Sequence, residues 1–186
     1  MVKRDEKTPP TTAALFRRMR RDHARVLARV ADLERALGRA RRAAVSPARE
    51  RTLRELLDLL EAQFGSHMAA EDETLYPAVL AALPAASGSI EPLFAEHAEL
   101  RQMLRRLQEV AREPASEERT EQIGVQVHDV ADLLRLHIEK EEAVVFRLAP
   151  RLLAPREIAA VAARLSRRKT PTVSRRPSTR SKGVSR

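Results

Sequence analysis

The stretch IGVQVHDVADLLRLHIEKEEAVVFRL, residues 123–148, decides how the chain is built. Ile123, Val127, Val130, Leu134, Val144 and Leu148 recur every three or four positions, the period of one helix face rather than the two-residue alternation of a strand. Two positions on that stripe are not apolar: His137 and Glu141. Ser116 stands where an N-cap would satisfy the first helical amides, and Pro150 is the expected stop, so this helix should run from about Ser116 to Ala149.

Working outward, three more long segments carry the same period. One runs from about Thr12 to Ala44, with Leu15, Met19, Val26, Val30, Leu33 and Leu37 inward. After Ser46-Pro47, read as a cap with proline in the first turn, the next runs from Pro47 to about Leu83 through Leu53, Leu57, Leu60, Phe64, Met68 and Leu75, with a bend or restart at Pro77. Pro84-Ala-Ala-Ser-Gly-Ser closes it. A third, from about Ser89 to Glu113, aligns Leu93, Leu100, Leu104 and Leu107, and a short amphipathic helix is expected over Pro155 to Leu165, packed across one end. Long segments with short connections predict an all-α, up-down-up-down four-helix bundle with a short C-terminal fifth helix. Its expected limits are 12–165, preceded by a loose leader, 1–11, and followed by a basic tail, 166–186, with almost nothing to bury.

Composition agrees. The chain has 186 residues, 43% of them apolar and only 3% aromatic, which is one domain's worth of core made from helix formers. Cysteine is absent, excluding disulfides, thiolate zinc sites, iron–sulfur clusters and thiol catalysis, so any metal must sit on His, Asp or Glu. The net charge of +9 is concentrated in the tail: eight of the 35 basic residues lie in 166–186 without an acidic one, leaving 27 against 26 acidic elsewhere. A sequence-independent contact between that tail and nucleic acid is therefore one expectation. No apolar run reaches the ~20 residues of a membrane span and no h-region follows the N-terminus, so a cytoplasmic location without membrane contact is the other.

The chemistry lies where each stripe skips a beat. His23, His67, His97 and His137 each take an inward position on a different segment, and His67 and His137 are followed one turn later by Glu71 and Glu141. The strings HMAAEDETLY (67–76) and HIEKEEAVVF (137–146) read as an internal pseudo-repeat. A buried, unpaired carboxylate costs several kcal/mol or takes up a proton, so two of them facing four imidazoles call for a cation. Depth is compatible: His23 lies 21 residues before the turn at about Ala44 and His67 20 after Pro47, while His97, 16 residues before Glu113, and His137, 20 after Glu117, are mismatched in depth by four residues, about 6 Å. Six ligands are too many for one ordinary zinc and suit two metals. Imidazole with carboxylate admits iron, manganese or zinc, and open positions favour iron. The Glu-x-x-His signature of ferritin-like di-iron bundles is absent.

Over about residues 12–150 the chain resembles the hemerythrin-like (HHE cation-binding) family: a lone His23, His67-x-x-x-Glu71, the Glu96-His97 pair and His137-x-x-x-Glu141 follow its order and spacing. The resemblance implies that His23 and His67 hold one iron and His97 and His137 the other. It further implies that Glu71 and Glu141 bridge them, together with an oxo or hydroxo group. Oxygen carriers of the family have a second histidine one turn after the first on the third helix; here that position is Arg101. The implied function is a non-haem di-iron protein that binds dioxygen or a related small molecule for sensing, storage or scavenging, more a binding protein than a dedicated enzyme. The alternatives are a di-iron enzyme acting on peroxide or nitric oxide, and a metal-free helical interaction module. Glu96, Asp72, Glu73 and Glu142 stand about 100° round the helix from the inward positions and are weaker ligand candidates. His128 and Tyr76, each nine residues from an inward histidine, are expected on the opposite side of their helices, His128 exposed and Tyr76 packed near the Pro77 bend, and Gly65 is expected to permit a close helix approach or to be merely tolerated.

Overall fold

The computed structural model describes residues 11–40 and 47–166. The leader, the Ser46 cap and the tail beyond Ser166 lie outside them. The elements are α1 (Thr12–Ala40), α2 (Pro47–Ala70), a π-helical turn (Glu71–Leu75), α3 (Tyr76–Ala82), a 3₁₀ turn (Pro84–Ala86), α4 (Ser87–Arg112), α5 (Glu117–Leu152) and α6 (Pro155–Ser166). Among the described residues there is no strand.

Local chemistry accounts for the starts. The Thr11 hydroxyl accepts the Ala14 amide at 3.3 Å ahead of α1. Ser116 accepts the Arg119 amide at 3.0 Å ahead of α5, whose first turn carries Glu117 and Glu118, favourable toward the positive end of the helix dipole. Pro150 does not stop α5. It sits inside the last turn, and the helix goes on until the Leu153 amide closes on the Ala149 carbonyl at 3.0 Å.

The long helices pack in a ring, α1 against α2 and α5, α4 against α5 and α2. One apolar cluster joins Val26 to Leu37 of α1 with Leu53 to Met68 of α2, Leu100 to Ala111 of α4 and Ile123 to Ile138 of α5. A second joins Leu15 to Met19, Ala70 to Val79, Ile90 and Leu93, Val145 to Ala149 and the inner face of α6. The C-terminal half of α1 thus meets the N-terminal half of α2, the pairing expected of long helices that reverse direction at each connection. Between the two clusters lies a layer made by His23, His67, Glu71, His97, His137 and Glu141, all buried.

The second expected helix is interrupted before Pro77. A π turn holds one extra residue, so everything after it is rotated back by about 100° relative to a continuous α-helix. Leu75 and Tyr76 consequently both face inward, and α3 swings onto α5. At this end of α5, Val145, Phe146 and Ala149 are buried, continuing the helical period from Leu134, Ile138 and Glu141, while Val144 and Leu148, expected inward, are only partly so. α6 closes the same end. Arg18 donates to the Leu165 carbonyl and the Ser166 hydroxyl, each at 3.0 Å, and Arg164 reaches Glu73 at 2.6 and 2.8 Å.

Candidate metal centre

Five elements deliver the six members of the layer: His23 comes from α1, His67 from α2, Glu71 from the first residue of the π turn, His97 from α4, and His137 and Glu141 from α5. Donor atoms of His23, His67, Glu71 and Glu141 lie within 4.8 Å of one another, and so do those of Glu71, His97 and His137. Glu71 is shared by the two groups. Glu141 falls in the first of these groups.

The short approaches are not ordinary hydrogen bonds. His67 Nε2 stands 2.6 Å from Glu71 Oε1, yet His67 Nε2 and both Glu71 oxygens lack a partner in hydrogen-bonding geometry, as do both Glu141 oxygens, although His23 Nε2 is 3.0 Å away. Buried polar atoms are normally paired, so a cluster of orphans is itself an observation to be explained.

The outer ring nitrogens sharpen the point. His97 Nδ1 lies 2.6 Å from Asp72, His137 Nδ1 3.0 Å from Glu96, and His23 Nδ1 2.9 Å from Glu142. A carboxylate only accepts, so in a neutral ring the proton sits on Nδ1 and Nε2 carries a bare lone pair. His97 Nε2 and His137 Nε2 then face each other at 2.9 Å as two lone pairs, an arrangement that a shared proton or a cation must relieve. Burial, and then charge on the neighbouring His97, push His137 down to about 4. Donor type, burial and lone-pair direction all fit a cation bound by imidazole and carboxylate.

In the first group, burial works against a charged His23, but the close Glu141 and Glu71 carboxylates outweigh it and lift the ring to about 11. Burial likewise opposes ionisation of Glu71, yet the imidazoles, His67 foremost, hold it well below the usual carboxylate range. Glu141 is pushed up by burial and by the Glu71 charge.

Sequence reasoning set Asp72, Glu96 and Glu142 aside as weak ligand candidates; the structure puts them on the imidazoles' outer nitrogens instead. The legible signal was that each adjoins a layer residue in the chain. Glu73 points away, to Arg164. Tyr76, expected on the far side, is fully buried with its ring stacked on His97 at 5.5 Å between centroids, and its hydroxyl lies toward Glu141 without a hydrogen-bond partner. His128 is exposed, as expected. A Cβ placed on Gly65 would meet nothing within 4 Å, so no close approach requires that glycine.

Imidazole and carboxylate donors converging from every long helix define the class: a helical bundle with an internal histidine–carboxylate layer suited to a cation. A family profile described as Hemerythrin HHE cation binding domain matches residues 14–149, and the chain belongs to that family. No curated protein and no solved structure matches it significantly. No helix among the described residues is long and apolar enough to cross a membrane.

Proposed function

We propose that residues 12–165 form a non-haem di-iron binding domain whose ligands are His23, His67, Glu71, His97, His137 and Glu141, and which engages dioxygen or a related small molecule in sensing, storage or scavenging. The observation that carries this reading is the sharing of Glu71 between two buried donor groups, which suits two ions side by side. When bound, two iron ions with an oxo or hydroxo bridge supply the redox and Lewis-acid chemistry toward such a molecule, and manganese or zinc would fill the same donor set without being favoured by it.

The chain's own residues do the rest. Glu71 holds a negative charge between the groups, and the imidazoles offer Nε2 donors, that of His23 once its proton has been displaced. The apolar clusters on either side of the layer exclude water, which strengthens every interaction within it. The second group has three donors against four in the first, and Arg101 turns outward to Asp72 rather than adding another. That supports an open position on the His97 and His137 side. The test is metal analysis of protein purified without chelator, with visible spectra in air and after reduction. About two iron ions per chain with oxo-to-iron bands support the reading; absence of bound metal together with an unchanged melting point on adding iron refutes it.

The open position also favours a second reading, an enzyme acting on peroxide or nitric oxide. Sustained oxygen release from hydrogen peroxide by the iron-loaded protein separates it from simple binding. A cytoplasmic location belongs to this proposal, as does contact of the 166–186 tail with nucleic acid, supported by its eight uncompensated cations.

A further inference from the structure

The carboxylates on the outer ring nitrogens form a pattern that the ligand set alone does not require. Asp72 follows Glu71, Glu96 precedes His97 and Glu142 follows Glu141, so each sits beside a layer residue of its own helical segment and faces a neighbouring helix instead of the interior. Asp72, in the π turn after α2, reaches His97 of α4; Glu96 of α4 reaches His137 of α5; Glu142 of α5 reaches His23 of α1. Three steps therefore run in one sense round the bundle.

Each of these carboxylates also has a cation on its far side: Arg101 on Asp72, Lys140 on Glu96, and Arg20 on Glu142 at 3.3 Å. The Arg101, Lys140 and Arg20 side chains are 33%, 45% and 47% exposed, so each chain of contacts runs from solvent to a layer imidazole. The Arg20 guanidinium in addition lies 5.3 Å from the centre of the Phe146 ring, which itself stacks on His23. The fourth step, from α1 to α2, is not made. Asp22, beside His23, is engaged by Arg25 at 2.7 Å, and His67 Nδ1 is buried without a hydrogen-bond partner.

We infer that Asp72, Glu96 and Glu142 are positioning residues that fix His97, His137 and His23 with the proton on Nδ1 and the lone pair on the layer side, that Arg101, Lys140 and Arg20 hold those carboxylates in place, and that His67 is the ligand left outside this system. The inference rests on the metal-binding reading. Its physical content is that a carboxylate on the outer nitrogen selects one tautomer, orients the ring and raises its basicity, so that removing it weakens metal binding without removing a ligand. A surface cation holds the carboxylate aimed at the ring. His67, lacking both, is oriented by packing, its ring edge-on to that of His23 at 4.8 Å.

The experiment uses the full chain and Zn²⁺ alone as the probe, with histidine labelled in the ring nitrogens for NMR. The zinc-loaded protein should show strongly downfield Nδ1–H protons from His23, His97 and His137 and none from His67. Asp72→Ala, Glu96→Ala and Glu142→Ala should each abolish one of these signals and weaken zinc binding about 10- to 100-fold, while Asp72→Asn, Glu96→Gln and Glu142→Gln, which keep an acceptor oxygen, recover part of the loss. Arg101→Gln and Lys140→Gln alter a partly buried and an exposed side chain outside the layer, and should weaken binding less while leaving the helical circular dichroism unchanged; they keep the test valid if an alanine variant fails to fold. Zinc bound with unchanged affinity by all of these variants, or a carboxylate-bonded Nδ1–H on His67, overturns the inference while leaving the metal site standing. Failure of the unaltered protein to take up zinc overturns both.

Discussion

Glu71 belongs to both donor groups and Glu141 to one, so equivalent substitutions at the two positions should not be equivalent in effect. Glu71→Gln is expected to lose both ions, and Glu141→Gln to retain one, held by Glu71, His97 and His137; elemental analysis of the purified variants reads this directly. Equal losses would mean that the two carboxylates play the same part. A second expectation concerns protons. Burial lowers His23 but Glu141 and Glu71 raise it more, to about 11, so near neutral pH the metal-free ring carries a proton that an incoming ion must displace. Apparent metal affinity should therefore rise with pH and fall on acidification. Competition against a chelating dye between about pH 6 and pH 9 measures it, and an affinity that stays flat across that range contradicts the expectation. At this scale the inward set was legible because a polar residue on an apolar stripe stands out in one dimension. The outer carboxylates were not, since on their own helices they look like ordinary surface acids and acquire meaning only from the neighbouring helix.

Among the elements, the π turn is the one the periodic pattern concealed. Pro77 marked a break, but a proline announces only that an amide is missing, not that the preceding turn has widened to admit a residue. Counting nine residues on from His67 therefore sent Tyr76 to the wrong side, and continuing the α5 stripe sent Val144 and Leu148 inward in place of Val145 and Ala149. The first error comes from the extra residue of the π turn, the second from following the stripe one residue out of step with the period that runs through Ile138 and Glu141. The helix starts were readable because capping is local, as Ser116 shows. The end of α5 was not, because a proline within a final turn is tolerated when the chain beyond it is otherwise accommodated. α2 offers a clean element-scale test. Gly65 stands inside it with open space where a side chain would go, so Gly65→Ala should stabilise the protein by about 1 kcal/mol, the difference in helix propensity. In a chain of this size that is a rise of about 2–4 °C in the melting temperature. A fall would show that the backbone there needs glycine for a reason the contacts do not reveal.

Across the whole molecule, the four-segment plan was recoverable from the sequence because long periodic stretches with short connections leave few ways to bury their stripes. What could not be read was how completely the layer divides the interior. Val26, Met68, Leu100 and Ile138 end one apolar cluster, and Met19, Ala70, Leu93 and Val145 begin the other. With ions in place, calorimetry should record a single cooperative transition at a temperature that rises with metal concentration. After chelation the transition should broaden or split, and a single sharp peak that merely moves would show that the two clusters are coupled without metal. The bound ions would thus act as rivets through a seam, joining two oily compartments that otherwise meet only across a layer of polar side chains. In that case the first thing a starved cell would lose from this protein is not its helices but their agreement to melt together.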